Sequence, residues 1–132
     1  MWYIIRIFVY MSKEKLMTIA EQTLFWCYKR FGTPLKRQLP KIRFVEDRRY
    51  TSRYGDYNDR VITIYLNACN TPSLIIGTVI HEYTHFLQMP RRRDIDRYHK
   101  LSKKFNYNTH PFEIEAEEYA KFFAPHVRKI LQ

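Results

Sequence analysis

Two histidines and a glutamate in the middle of the chain have a spacing that suits metal chemistry. The segment His81-Glu82-Tyr83-Thr84-His85 reads H-E-x-x-H, and the surrounding residues favour a helix. Positions i and i+4 of a helix lie on the same face, so His81 and His85 can hold one zinc ion together. Glu82 can then act as general base toward a water molecule. The motif predicts the core of a zinc metallopeptidase site.

A catalytic zinc usually takes a third protein ligand and keeps one position for water. Pro111 suits the first turn of a helix, and the acidic residues that follow it suit the helix dipole. Glu113 and Glu117 are four positions apart and can face the same neighbour. The third histidine of metzincins would fall at Arg91, which excludes that class. The downstream residues with suitable side chains are His99, His110, Glu113, Glu115, Glu117, Glu118 and His126.

The two motifs together resemble a known pattern. His81-Glu82-x-x-His85 followed by Glu113-x-x-Ala116-Glu117 is similar to the gluzincin pattern, H-E-x-x-H and then E-x-x-A-D/N. That pattern occurs in ImmA/IrrE-type metallopeptidases and in membrane CaaX-processing peptidases. The resemblance implies one zinc ion per chain, held by His81, His85 and Glu113. It also implies that Glu117, where the family usually has Asp or Asn, accepts a hydrogen bond from a ligand histidine.

Other ligand sets and other functions remain open at this point. SprT-like proteases use a third histidine, for which His99 or His110 is available, and Glu115 is a further alternative. An SprT-like enzyme would act on proteins bound to nucleic acid. A catalytically silent zinc-containing binding module is a third interpretation. The intact Glu82 argues against it, because a structural zinc site has no need of a base.

The metallopeptidase interpretation assigns roles to the residues around the metal. Glu82 would accept a proton from the attacking water and pass it to the leaving amine of a protein or peptide substrate. A donor must also stabilise the oxyanion that forms on the scissile carbonyl. The sequence does not choose among four candidates for that donor, which are Tyr107, His110, Tyr119 and His126.

The chain is strongly basic, with a formal net charge of +10. Residues 91–104 hold seven Lys or Arg and two Asp, and a second basic set runs over residues 29–60 with tyrosines interleaved. Such surfaces contact phosphates, so nucleic acid or an acidic protein is an expected accessory partner. The ImmA/IrrE resemblance implies a repressor-type substrate on a phage or mobile element, in the cytoplasm of a bacterial or phage-infected cell.

The length of 132 residues predicts a single domain over residues 1–132, with residues 1–11 as an N-terminal extension. Apolar residues make up 45% of the chain, which is ample for a core. The apolar segment over residues 2–10 is short and contains Arg6, so we expect neither a secretory signal nor a membrane span. Cys27 and Cys69 are expected to be buried thiols in a reducing compartment rather than a disulfide.

The pattern of apolar residues predicts an α+β fold, and this layout resembles that of the small zincins. It comprises an N-terminal helix, a twisted sheet of about three strands, the H-E-x-x-H helix and a C-terminal helix carrying Glu113. The last helix opens near Pro111 and is kinked or ended by Pro125. The resemblance implies that an extended substrate pairs with a strand within residues 60–67, since that strand runs beside the cleft in the family. The predicted elements are a helix over 13–31, strands over 41–46, 49–54 and 60–67, a turn over 55–59, a helix over 72–89 and a polar loop over 91–108 that could hold a short helical piece.

Overall fold

Four helices and a three-stranded mixed sheet form an α+β architecture, which confirms the predicted fold class. The computed structural model describes residues 12–131, and the suggested N-terminal extension over residues 1–11 lies outside the described residues. Two short 3-10 turns, Pro34–Lys36 and Tyr107–Thr109, complete the chain. The elements are α1 (Lys13–Phe31), β1 (Lys41–Val45), β2 (Gly55–Asn58), β3 (Val61–Tyr65), α2 (Pro72–Gln88), α3 (Arg92–Ser102) and α4 (Pro111–Leu131).

The helix boundaries at α1 and α2 follow from their capping residues. The Ser12 hydroxyl accepts a hydrogen bond from the backbone N–H of Lys15, and α1 ends at Gly32, whose φ of 70° favours glycine. The Thr71 hydroxyl caps α2 in the same way, with Pro72 as its first residue. These boundaries agree with the sequence prediction, because capping is encoded by a few local residues.

The strand order in the sheet is β1-β3-β2, with β3 in the centre. β3 runs parallel to β1, pairing Val61 with Lys41, and antiparallel to β2, pairing Val61 with Asn58. Asp59 and Arg60 close the β2–β3 hairpin with φ values of 47° and 61°, as a two-residue turn requires. The expectation that a substrate pairs with a strand within 60–67 is wrong, because β3 has neighbours on both sides. The edge strand nearest the motif helix is β2.

The weak strand predicted over 49–54 is absent, and the predicted turn over 55–59 is largely strand. The Asp47 carboxylate accepts a hydrogen bond from the backbone N–H of Arg49 at 3.0 Å and also binds the Arg49 side chain. An Asp side chain bonded to the backbone two residues later stabilises a turn rather than a strand. Gly55 begins β2 instead, at a close approach between the sheet and α2.

The polar loop predicted over 91–108 was wrong for most of its length, because residues Arg92–Ser102 form the eleven-residue helix α3. The Asp94 carboxylate accepts a hydrogen bond from the backbone N–H of Arg91 at 2.9 Å, which stabilises the first turn. Ile95, Tyr98 and Leu101 recur at helical spacing, although no residue of α3 is fully buried. The sequence prediction missed this narrow apolar stripe because most of the segment is charged.

Pro125 lies inside α4 and does not end it, since the helix continues to Leu131. The proline removes one backbone donor, whose acceptor would be the carbonyl of Lys121. Both residues are exposed, so water can solvate that carbonyl. Of the two predicted alternatives, a kink or an end at Pro125, the end is therefore wrong.

The core surrounds α2, which packs against α1, α4 and the sheet. Cys27 and Cys69 are buried free thiols within this core, as predicted. Among residues 12–131, no helix combines the length and the apolar character needed to cross a bilayer. The buried apolar side chains of the core are Leu16, Ala20, Leu24, Cys27, Ile62, Ile64, Leu66, Cys69, Ile75, Ile76, Val79, Ile80, Tyr83, Phe86, Ala120 and Val127.

Candidate metal centre

Helix α2 places both motif histidines on one face, as their spacing predicted. The ring centroids of His81 and His85 are 5.1 Å apart, and both side chains are buried. Most of α2 is buried on all sides, which fixes the position of the helix between the sheet and α4. The two imidazoles therefore stand on a rigid support.

Helix α4 brings Glu113 to these histidines. The Glu113 Oε1 atom lies 3.0 Å from His81 Nε2 and 2.9 Å from His85 Nε2, and the carboxylate is 5% exposed. Burial alone would raise the pKa of Glu113, but the hydrogen bonds from the two histidines outweigh it and hold the pKa well below its usual range. Glu113 is thus a buried, ionised group that faces two imidazole nitrogens.

The three side chains form a buried group that could hold a metal ion. One ligand atom from each of His81, His85 and Glu113 lies within 4.8 Å of the other two. Ligands about 2.0–2.1 Å from a tetrahedral zinc are about 3.3 Å apart, and the two distances from the carboxylate are only slightly shorter. Two nitrogens and one carboxylate oxygen also suit zinc chemically, so the donor set fits.

Hydrogen bonds behind the histidines turn their Nε2 atoms toward Glu113. The Gln88 amide nitrogen donates to the carbonyl of Phe112 at 3.0 Å and to Glu115 Oε1 at 2.9 Å. The Gln88 oxygen, 2.8 Å from His85 Nδ1, must therefore accept a proton from that nitrogen. In the neutral ring that a metal ligand requires, this bond to Nδ1 would leave the lone pair on Nε2. Gln88 was not predicted, although it lies three residues after His85 on the same helix face.

His81 has a similar partner in Glu117, whose Oε2 atom lies 3.3 Å from His81 Nδ1. This is the contact that the gluzincin resemblance implied for Glu117. The Glu117 side chain is 53% exposed, so its contact with the imidazole is partly solvated. The longer Glu side chain reaches the histidine from the outer side of α4.

Two tyrosines approach the centre from the segment that was predicted as a loop. The Tyr98 hydroxyl, on α3, donates to Glu113 Oε2, and Tyr107 Oη lies 3.2 Å from His81 Nε2. Burial, followed by the bond to the Glu113 carboxylate, raises the pKa of Tyr98 well above its ordinary value. The phenol therefore stays protonated and keeps donating. Nothing in the sequence indicated Tyr98, because residues 91–108 were expected to hold at most a short helical piece.

Glu82, the expected base, is 6% exposed and borders the same cleft. Burial raises its pKa to about 8, the charge of Glu113 adds to the rise, and His85 partly offsets it. Without a nearby cation the carboxyl would favour the protonated form at neutral pH. A bound divalent cation would favour the carboxylate, the form that a general base needs.

The remaining residues predicted for the site lie elsewhere or have other partners. His110 is buried, with Nε2 donating to the Tyr98 carbonyl at 3.0 Å and Nδ1 accepting from the Phe112 N–H at 3.1 Å. Both of its nitrogens are engaged, so His110 holds the start of α4 in place. Tyr119 packs against Phe31 and Phe123, and His126 contacts Trp26. His99 borders the cleft, and Glu115 is bonded to Gln88, outside the buried group.

A cleft of about 710 Å³ opens over the buried group. The edge strand β2 forms one wall, α2 forms the floor, and residues of α3 and α4 form the other side. In β2 the lining includes every residue from Gly55 to Asn58. An extended chain could therefore lie beside a strand edge and above the two histidines at the same time.

The chain matches no protein-family model, and comparisons with curated proteins and with solved structures also give no match. The function must therefore be argued from the residues of the cleft themselves.

Proposed function

We propose that the chain is a zinc-dependent metallopeptidase with a gluzincin-type ligand set. The observation that carries this proposal is the convergence of His81, His85 and Glu113 in one buried group at the bottom of an open cleft. A structural zinc site is usually closed by four protein ligands, whereas three ligands leave a position for water. The cleft and the adjacent Glu82 favour a catalytic site over a silent binding module.

The residues of the cleft can take separate roles in peptide hydrolysis. A zinc ion bound there would supply a Lewis acid and lower the pKa of a water molecule to about 7. Glu82 would accept the proton of the attacking water and donate it to the leaving amine. Of the four candidate oxyanion donors, Tyr107 is the one with its hydroxyl beside a ligand histidine, so we assign it that role.

The edge of β2 is the proposed binding site for the substrate backbone. A peptide of extended conformation would extend the sheet from order β1-β3-β2 by a fourth strand. Main-chain hydrogen bonds give such pairing little sequence dependence, so side-chain specificity must come from the cleft walls. Arg53 and Asp56 in this wall bind each other, at 3.3 Å between Nη2 and Oδ2.

The test has two readouts, metal content and peptide hydrolysis. Protein purified without added metal is measured by elemental mass spectrometry beside Glu113→Ala, Glu82→Gln and the control Glu115→Gln. We expect about one zinc per chain in the wild type, in Glu82→Gln and in the control, and a sharp loss in Glu113→Ala. Hydrolysis of a quenched-fluorescent peptide library should vanish in Glu82→Gln alone among the zinc-loaded proteins.

Three results would overturn the proposal. No metal in the wild-type protein, even after zinc is supplied, would remove the basis for a metallopeptidase. Full zinc content with the same hydrolysis in wild type and Glu82→Gln would show that the cleft does not use this base. Full zinc content with no hydrolysis of any peptide in the wild type would favour the silent binding module.

A further inference from the structure

Helix α3 has two faces with different contacts. Its inner face supplies the Tyr98 hydroxyl to Glu113, and the Tyr98 carbonyl accepts a hydrogen bond from His110. The outer side carries basic residues at helical spacing. We call Arg93, Arg97, Lys100 and Lys104 the basic face, and all four are exposed. The first three lie on one side of α3, and Lys104 follows in the turn after it.

The basic face has no carboxylate partner among residues 12–131. The only ion pair within α3 joins Arg92 to Asp96, at 3.2 Å between Nε and Oδ1. The other acidic residue of the helix, Asp94, is bonded to the backbone of Arg91. Like charges at positions i and i+4 repel each other and cost helix stability. The basic face therefore retains an unbalanced positive charge that a polyanion would neutralise.

These cations surround a shallow depression of about 470 Å³ on the surface of α3. The Arg97 guanidinium lies 6.0 Å from the centre of the Phe112 ring, a contact that restricts its motion. Asp96 is the single carboxylate in the depression, and Arg92 already neutralises it from the other side. Leu101 is the single apolar residue there, and it is half-buried. The depression is thus lined by five charged side chains and one apolar residue.

We infer that the basic face of α3 binds the phosphate backbone of nucleic acid. Arg93 and Lys100 are about 10.5 Å apart along the helix axis at 1.5 Å per residue, which matches about three nucleotide steps along a duplex axis at a rise of about 3.4 Å each. A folded acidic protein would bring a cluster of apolar side chains to its interface, and Leu101 is the single apolar residue in the lining of the depression. Binding through phosphates is independent of base sequence. It requires neither a bound metal nor hydrolysis by the cleft.

The test is the salt dependence of binding to a fluorescent 20-base-pair duplex and to the matching single strand, measured by anisotropy. The slope of log affinity against log salt is negative, and each lost phosphate contact reduces its magnitude by about 0.9 on duplex DNA, so four lost contacts reduce it by about 3.6. A control variant removes the same number of charges from exposed lysines of α1 and α4. The test variant carries Arg93→Ala, Arg97→Ala, Lys100→Ala and Lys104→Ala, and the control carries Lys15→Ala, Lys29→Ala, Lys121→Ala and Lys129→Ala.

We expect the test variant to lose the salt-dependent binding and the control variant to keep most of it. Equal loss in both would overturn the inference, because net charge alone would then explain binding. Tighter binding of polyglutamate than of DNA would overturn it in favour of an acidic protein. If circular dichroism shows that the test variant is unfolded, the double variant Arg93→Gln with Lys104→Gln replaces it, because it leaves the Arg97–Phe112 contact intact. The magnitude of the negative slope should still fall by about 1.8 in this variant. An unchanged slope there would refute the inference.

Discussion

Gly55 lies where the edge strand β2 passes closest to the metal-site helix. A Cβ atom built on Gly55 would lie 2.6 Å from Thr78 Cγ2 and 2.7 Å from the carbonyl oxygen of Thr63, with Glu82 Cγ at 3.8 Å. Ordinary contacts begin near 3.4 Å, so in Gly55→Ala the strand must move by about 0.7 Å from the Thr63 oxygen. That oxygen belongs to the backbone of the central strand β3, so moving it would displace the strand and cost stability.

The magnitude follows from two opposing terms. Overpacking of this kind costs about 1–3 kcal/mol, and a backbone partner favours the upper half of that range. Alanine also lowers the conformational entropy of the unfolded chain, which stabilises the folded state by about 0.4–1 kcal/mol. We therefore expect Gly55→Ala to lower the free energy of unfolding by about 1–2 kcal/mol. The shift of β2 should also change the width of the cleft above Glu82.

Urea denaturation followed by circular dichroism measures this change, and Gly77→Ala is the matched control. Gly77 lies within α2, and a Cβ atom there would meet nothing within 4 Å. Alanine is the better helix former, so this variant should gain up to about 1 kcal/mol. The packing of β2 against α2 described above would be refuted if Gly55→Ala were as stable as the wild type while Gly77→Ala showed its gain.

Two further predictions concern the metal centre and the core thiols. Tyr98→Phe should weaken zinc binding about 10- to 100-fold, because it removes the hydrogen bond to Glu113 Oε2, whereas Tyr107→Phe should not weaken it. Competition with a chromogenic chelator measures the zinc affinity of both variants. Equal affinities would contradict the role of Tyr98. Burial raises the pKa of Cys27 to about 12 and that of Cys69 to about 11. The contribution of the two neutral thiols to the free energy of unfolding is therefore complete below pH 9.0, the ordinary thiol pKa, and is lost as the pH rises toward those values. Folded protein at pH 8 should resist alkylation until urea unfolds it, and rapid labelling without urea would argue against this burial.

Sequence alone predicted those parts of the fold that local residues encode. Ser12 and Thr71 cap α1 and α2, Pro111 opens α4, and the spacing of His81 and His85 fixes their common face. Each of these features depends on residues within a few positions of one another. The proximity of Glu113 to the two histidines was implied by the resemblance, since no local pattern determines how α2 and α4 meet.

The errors arose where tertiary contacts decide between local alternatives. Residues 92–102 are too charged to predict a helix from composition. The contacts of Tyr98 with Glu113 and His110, which are distant in sequence, give the segment a fixed place. The identity of the edge strand was also inaccessible, because strand order depends on pairing across the sheet. β3 looked like the strand beside the cleft in sequence, yet β2 occupies that position.

The ligand set joins two helices that are distant in sequence, because His85 and Glu113 are 28 residues apart. An ion bound by both would close a loop that contains all of α3, much as a covalent cross-link does, and would remove chain entropy from partly open states. Without the ion, α3 and the first turn of α4 would be held mainly by polar contacts. Residues 89–110 should therefore form the part of residues 12–131 that opens first, with hydrogen exchange and proteolysis there controlled by the free metal concentration.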